Sequence, residues 1–201
     1  MKKIVITGGL GYIGTELCKI YSGYSWNDKI TVIDNRFISE RVNQIRNWNM
    51  NFVHGDILDK ELIRKYCKDA DIVHHLAGIT AVPRVKSEAN AEHEKKIEEV
   101  AIEGTQNIID SIKDDCKIIL PSTHVVYEGM QDVKKNILEN EDTLPVLAYG
   151  KSKAFNEKQL KESGKNFIIL RLGSVYGYST DTTRLDIMTN LFSKISSQDG
   201  L

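Results

Sequence analysis

Three regularly spaced glycines, set between a β-branched run and a helical run, constrain this chain more than any other feature of its sequence. Residues 3–7 predict a strand, and residues 12–24 predict a helix with one apolar face. Gly8, Gly11 and Gly14 recur at every third position across this junction. Gly8 permits a tight turn, Gly11 lets the backbone approach a pyrophosphate, and Gly14 lets the helix pack close to the strand. The junction therefore predicts a phosphate site at the helix N-terminus.

Short β-branched runs continue to alternate with longer helical runs along the chain. This alternation predicts a parallel sheet with helices on both faces. Right-handed crossovers then give an α/β, doubly wound sheet of the Rossmann type. The predicted strands are residues 3–7, 29–33, 51–54, 71–76, 117–120 and 166–170, and the predicted helices are residues 12–24, 59–67, 92–112, 148–162 and 184–196.

Composition and charge narrow the possible partners. Lys and Arg number 27 and Asp and Glu number 28, so no basic excess indicates a nucleic-acid partner. No apolar run approaches the ~20 residues of a membrane helix, and we expect a cytoplasmic protein with no membrane partner. The three cysteines are far apart and are expected to be reduced structural thiols. The five histidines lack metal-ligand spacing, so we predict no metal site.

Two acidic residues follow predicted strands. Asp34 ends the second strand, twenty residues after Gly14. A carboxylate there can accept hydrogen bonds from adenosine ribose hydroxyls, which favours NAD, and it would repel the 2′-phosphate of NADP. Arg36, two residues on, would blunt that preference. Asp56 follows the third strand, where binding of an adenine amino group and a plain turn or cap role are both open.

The glycine spacing resembles that of short-chain dehydrogenase/reductases. The fuller string from Thr7 to Gly14 resembles their extended branch, the nucleotide-sugar epimerase/dehydratase family. Further motifs of that family follow in order up to about residue 178. They are Asp34-Asn35, Gly55-Asp56-Ile57, His75-Leu76-Ala77-Gly78, Ser122-Thr123 with Val126-Tyr127, Tyr149 with Lys153, and Leu170-Arg171 with Val175-Tyr176-Gly177.

The resemblance implies NAD as cofactor, a nucleotide sugar as substrate, and Thr123, Tyr149 and Lys153 as catalytic residues. Tyr149 and Lys153 are four apart in a predicted helix, so they share one face. A free tyrosine has a pKa near ~10, and nearby positive charge would favour its phenolate as a base. An exposed tyrosine beside a solvated lysine is the alternative. The residues implied to bind NAD are Gly8, Gly11, Tyr12, Ile13, Gly14, Asp34, Asn35, Asp56, Ile57, Leu76, Ala77, Gly78, Tyr149 and Lys153.

Departures from the family pattern narrow the chemistry. Val125 stands where the family's dehydratases and decarboxylases carry a glutamate, which favours a 4-epimerase or ketosugar reductase. His124 is either a substitute acid or a half-buried polar residue. Ala101 falls where the family often has an asparagine that supports the active-site lysine. A non-catalytic NAD-binding module and a ketone or steroid dehydrogenase of the same branch remain alternatives.

The resemblance also implies a domain division and an assembly. We expect residues 1–178 to form the NAD-binding domain and residues 179–201 to begin a substrate-binding lobe that is largely absent from this sequence. Family members often dimerise through a four-helix bundle, for which the helices at residues 92–112 and 148–162 are the candidates. The long polar segment at residues 129–145 is expected to be an exposed, mobile loop.

Overall fold

The computed structural model describes residues 1–24, 27–80, 91–179, 184–185 and 187–199. The strands are β1 (Lys3–Thr7), β2 (Lys29–Asp34), β3 (Asn51–His54), β4 (Ile72–His75), β5 (Lys117–Thr123) and β6 (Asn166–Leu172). The α-helices are α1 (Tyr12–Tyr24), α2 (Ser39–Asn47), α3 (Lys60–Cys67), α4 (Ala91–Ser111), α5 (Ala148–Glu162) and α6 (Met188–Asp199), and a 3₁₀ helix spans His124–Tyr127. The strands form one parallel sheet in the order β3-β2-β1-β4-β5-β6. The predicted doubly wound parallel sheet is confirmed.

Helices cover both faces of the sheet, and each face has its own apolar core. Successive strand residues point to opposite faces, which is why the central strands read as continuous apolar runs. The core beneath α1 and α2 contains Ile4, Ile6, Cys18, Val42 and Ile45. The core beneath α3, α4 and α5 contains Val5, Ile63, Ile108, Ile118 and Leu160.

Several boundaries differ from the prediction. Helix α2 was not predicted, because only two of its nine residues are buried and its apolar periodicity is correspondingly weak. Helix α6 begins at Met188, and Arg184 lies outside it, so the predicted start at residue 184 is wrong. Strands β5 and β6 run further than predicted because Thr123 pairs with Leu172 at their ends. The pairing places Thr123 at the end of a strand.

Several local features outside the sheet bear on the sequence analysis. The Asp59 side chain caps α3 by accepting a hydrogen bond from the backbone N–H of Leu62 at 3.0 Å. All three cysteines are free and buried, in agreement with structural thiols. Residues 131–140 of the long polar loop are all exposed. No helix in the described ranges combines the length and apolar character that a bilayer span requires.

The core makes a direct prediction about stability. Ile108 of α4 is fully buried, whereas Ile20 of α1 is 57% exposed. We expect Ile108→Ala to lower the free energy of unfolding by about 2–5 kcal/mol, because it leaves a cavity between α4 and the sheet. Ile20→Ala removes the same atoms from the surface and should change it by less than about 0.5 kcal/mol. Urea unfolding of both variants measures the difference, and equal losses would contradict this assignment of the core.

Candidate active site

A cleft of about 640 Å³ opens at the carboxyl ends of the strands. The strand order reverses between β1 and β4, and open α/β sheets bind ligands at such a switch point. The cleft brings together every residue that the sequence analysis assigned to the cofactor or to catalysis. These residues are Gly8, Gly11, Tyr12, Ile13, Gly14, Asp34, Asn35, Asp56, Ile57, Leu76, Ala77, Gly78, Thr123, Tyr149 and Lys153.

The glycine loop is built by close backbone approaches. Gly8 has a φ of +69°, and its N–H donates to the Ile33 carbonyl at 2.8 Å. A Cβ on Gly8 would lie 2.7 Å from the Ala77 backbone, and one on Gly14 would lie 2.4 Å from the Gly8 carbonyl oxygen. Gly14 was predicted to bring α1 close to strand β1. The close contact is instead with the turn at Gly8 and Gly9, so α1 begins directly against the loop.

Asp34 is the last residue of β2, and its carboxylate holds the glycine loop. One oxygen accepts the backbone N–H of Leu10 at 2.9 Å, and the other accepts the backbone N–H of Arg36 at 2.9 Å. The Arg36 Nε lies 3.3 Å from the same carboxylate, whose side chain is 4% exposed. The cation that was expected to blunt the preference for NAD is therefore paired with Asp34 itself.

Asp56 and Asn35 form a second polar cluster on the cleft wall. The two carboxylate oxygens of Asp56 accept the backbone N–H of Leu58 at 3.0 Å and the Asn35 amide at 2.9 Å. The first contact is the turn role that the sequence left open. Binding of an adenine amino group by Asp56 stays a prediction.

A buried histidine links the end of strand β1 to helix α4, which sequence reasoning missed. The two ring nitrogens of His75 each lie 3.0 Å from a threonine hydroxyl, Nδ1 from Thr7 and Nε2 from Thr105. Thr7 also accepts the Ala77 N–H at 3.3 Å. Burial, aided by the charge of Lys153, lowers the pKa of His75 to about 3. His75 is thus a neutral crosslink at neutral pH, and a histidine within an apolar strand was its signal.

Tyr149 and Lys153 line the cleft from α5, and neither is exposed. Lys153 is 9% exposed, and burial lowers its pKa to about 8, with Glu157 acting in the opposite direction. Burial raises the pKa of Tyr149, and the nearby positive charge of Arg184 opposes that rise. The alternative of an exposed tyrosine beside a solvated lysine is wrong. Arg184 was not predicted to act on Tyr149, because it is distant in sequence and outside the matched motifs.

The residues around Thr123 define the end of β5. The Thr123 hydroxyl accepts the N–H of Val125 at 3.3 Å, and Val125 also lines the cleft. His124 is exposed, not half-buried, and its Nδ1 lies 3.2 Å from the Leu172 carbonyl oxygen. A carbonyl only accepts, so Nδ1 carries the hydrogen and Nε2 of the neutral ring is an acceptor. The wall beside Thr123 therefore holds a valine and an oriented imidazole.

The sequence that forms this cleft matches the model of a known family. The profile of the NAD dependent epimerase/dehydratase family matches residues 4–199 of the sequence. The chain belongs to that family. The predicted resemblance is thereby confirmed, and the predicted cofactor, NAD, is the one in the family's description.

Individual relatives agree with this assignment. The chain is 31% identical over 198 residues to dTDP-D-glucose 4,6-dehydratase of Dictyostelium discoideum, covering 88% of this chain and 44% of the relative. UDP-N-acetylglucosamine 4-epimerase from Methanobrevibacter ruminantium aligns with a TM-score of 0.68 at 29% identity, covering 85% and 54% of the two chains. UDP-glucose 4-epimerase from Brucella ovis in complex with NAD aligns with a TM-score of 0.71 at 25% identity, covering 90% and 55%. The chain thus spans about half the length of these relatives.

Two glycines allow the close approach at Gly8 to be tested against a matched control. Gly164 has a φ of +68°, like Gly8, but a Cβ there meets nothing within 4 Å. We expect Gly164→Ala to cost about 1–2 kcal/mol of unfolding free energy, which is the price of the left-handed conformation alone. Gly8→Ala adds a clash with the Ala77 backbone and should cost more. Urea unfolding compares the two, and equal losses would show that the approach at Gly8 imposes no constraint.

Proposed function

We propose that the protein is an NAD-dependent enzyme that transfers a hydride between the cofactor and a sugar carbon of a nucleotide sugar, as an epimerase or a ketosugar reductase. One observation carries the proposal: in a member of this family, the same cleft holds the glycine loop, Asp34, the half-buried Tyr149 and the buried Lys153. A non-catalytic binding module has no need for such a pair in its cleft.

The cleft fits the cofactor. Side chains on Gly8 and Gly14 would clash with the backbone of Ala77 and of Gly8 itself, so only glycines allow this compact loop. The N–H groups at the start of α1 suit a pyrophosphate. Asp34 lies where a ribose would be bound, and its carboxylate favours NAD over NADP. Bound NAD⁺ supplies the hydride acceptor and carries a positive charge.

Residues of the chain then accept the proton of the sugar hydroxyl and stabilise the group that accepts it. The Tyr149 phenolate takes the proton of the sugar hydroxyl while the hydride leaves the same carbon. Burial by itself disfavours the phenolate, so positive charge around Tyr149 is required, and Arg184 already provides some. Lys153 adds a second cation and holds the nicotinamide ribose. The Thr123 hydroxyl donates a hydrogen bond to the reacting oxygen.

Val125 separates the possible reactions. A 4,6-dehydratase or decarboxylase needs a proton-transferring acid beyond the redox step, and a valine side chain in this cleft position cannot provide one. An epimerase or reductase needs no such additional acid. We therefore favour these two reactions, although one relative is named a dehydratase.

We also propose that residues 1–178 form the cofactor domain and that residues 179–201 begin the part that binds the sugar nucleotide. Asn190 of α6 accepts the Gly177 N–H at 2.9 Å and donates to the Arg184 carbonyl at 2.8 Å. Because Arg184 lines the cleft, these bonds connect residues 179–201 to the candidate active site. For the assembly, we propose a cytoplasmic homodimer whose subunits pair through α4 and α5. Phe155 of α5 is 41% exposed and would be covered in such a pairing.

Native mass spectrometry tests the cofactor and the assembly together. We expect the purified protein to carry NAD(H) or to take up added NAD⁺ in preference to NADP⁺, and to have the mass of a dimer. A protein that ignores NAD⁺ would contradict the proposed function. A mass of one chain at micromolar concentration would remove the dimer and leave the cofactor assignment standing.

Tyr149→Phe tests the chemistry. We expect the substitution to lower turnover by about 10²–10⁴-fold while NAD still binds, because only the acid–base group is lost. The assay follows UDP-, GDP-, dTDP- and CDP-sugars with product identification. Tyr24→Phe, at an exposed position of α1, is the control and should leave turnover unchanged. Unaltered turnover in Tyr149→Phe would refute the mechanism, and NAD binding without turnover of any sugar would favour the binding module.

A further inference from the structure

A buried carboxylate follows Lys153 by one turn of α5. Glu157 is 2% exposed, and its carboxylate is bonded to side chains of two strands and lies 3.8 Å from the Lys161 ammonium of its own helix. The Ser122 hydroxyl donates to it at 2.5 Å, and the Arg171 guanidinium donates from Nε at 3.0 Å and from Nη2 at 2.6 Å. Ser122 belongs to β5 and Arg171 to β6, so one side chain ties the helix that carries Tyr149 and Lys153 to two strands.

Arg171 is itself held in place. Its guanidinium donates to the Tyr127 hydroxyl and to the Glu139 carbonyl at 3.0 Å, and it lies 5.0 Å from the centre of the Tyr127 ring. These partners fix the cation against Glu157. The Glu157 carboxylate therefore has a set position in the fold.

Stability alone does not account for this arrangement. Removing an ion pair from water costs several kcal/mol per ion, and apolar side chains of similar volume often stabilise a protein as well or better. Glu157 is close in the fold to two candidate catalytic residues. Its partner Ser122 directly precedes Thr123, and Lys153 lies on the same face of α5 as Glu157. Its bonds join the two elements that carry three catalytic candidates.

Charged and titratable groups of several elements line the same cleft as Lys153. Tyr149 shares the helix with Lys153. Lys96, Arg184, Asp34 and Asp56 line other parts of the cleft, and His75 of β4 is neutral. Burial lowers the pKa of Lys153, and the negative charge that opposes this effect is that of Glu157.

Glu157 itself remains charged at neutral pH. Burial would raise the pKa of Glu157, but hydrogen bonds from Arg171 and Ser122, with the charges of Arg171 and Lys161, leave it lowered. The carboxylate is thus a stable negative charge one turn of α5 away from Lys153, paired with Arg171 and Lys161.

We propose that Glu157 is a positioning residue of the active site: it locks α5 to β5 through Ser122 and supplies the counter-charge of the buried Lys153 ammonium. The proposal rests on the proposed function, because a charged Lys153 matters to catalysis only if the cleft binds NAD and uses Tyr149. Glu157 acts through Lys153 and does not itself contact the substrate.

The test is Glu157→Gln, which keeps the side chain's shape and removes its charge. We expect the pKa of Lys153 to fall from about 8 by about one pH unit or more, because an opposite charge has been lost. Titration of the lysine ¹³Cε resonance measures this directly in the whole protein. The upper pH limit of NAD binding, measured by calorimetry, should move down by the same amount. Glu162→Gln, an exposed residue of the same helix that pairs with Lys158, should change neither.

A double variant separates this role from a purely structural one. Glu157→Gln with Arg171→Met removes the unpaired guanidinium and should recover most of the stability lost by the single change. The low pKa of Lys153 should persist, since the Glu157 charge is still missing. An unchanged Lys153 pKa in the single variant, or its return to about 8 in the double variant, would overturn the proposal. The lysine titration requires neither NAD nor turnover, so a wild-type protein that fails to bind NAD would defeat only the proposed function.

Discussion

The turn at Gly8 is the contact on which the cleft depends. Its N–H bonds to β2 at Ile33, while its Cα lies so close to Ala77 after β4 that a Cβ would fall 2.7 Å from that backbone. Strand β1 is thereby joined to both neighbours at the point where the strand order reverses. The space between the strand ends is a consequence of this junction. Asp34 holds the loop by accepting the N–H of Leu10, and His75 is hydrogen-bonded to Thr7 at the end of β1.

Buried polar groups do most of the positioning inside the cleft. The Asp34 carboxylate accepts the N–H groups of Leu10 and Arg36, and His75 is a neutral bridge between two threonines. Lys153 and Glu157 are charged groups whose burial is costly, and each is placed where a neighbour offsets that cost. These groups lie on β2, β4 and α5. The geometry of the cleft is therefore set by the fold and by a small number of strong bonds within it.

The same frame serves several reactions in relatives, whose names include 4,6-dehydratase and 4-epimerase. In this chain the wall of the cleft beside Thr123 carries an imidazole oriented by the Leu172 carbonyl, and Val125. Under the proposed mechanism, Tyr149 and the cofactor would carry out the hydride chemistry, and a valine on this wall would provide no further proton transfer.

The sequence by itself determined the α/β class and the parallel sheet, because apolar periodicity, glycine spacing and strand ends are local properties of the chain. Most of the residues that gather in the cleft were indicated by the resemblance of local motifs to a known family. The sequence missed α2, whose two buried residues give little periodic signal, and it misplaced the start of α6. It could not reveal the partners of buried charges. Glu157 meets Arg171 from fourteen residues away and Ser122 from thirty-five, and such pairs exist only once the strands are aligned. Protonation states were likewise decided by tertiary structure, since burial and neighbouring charge, which shift the pKa values of His75 and Lys153, arise from packing between distant segments.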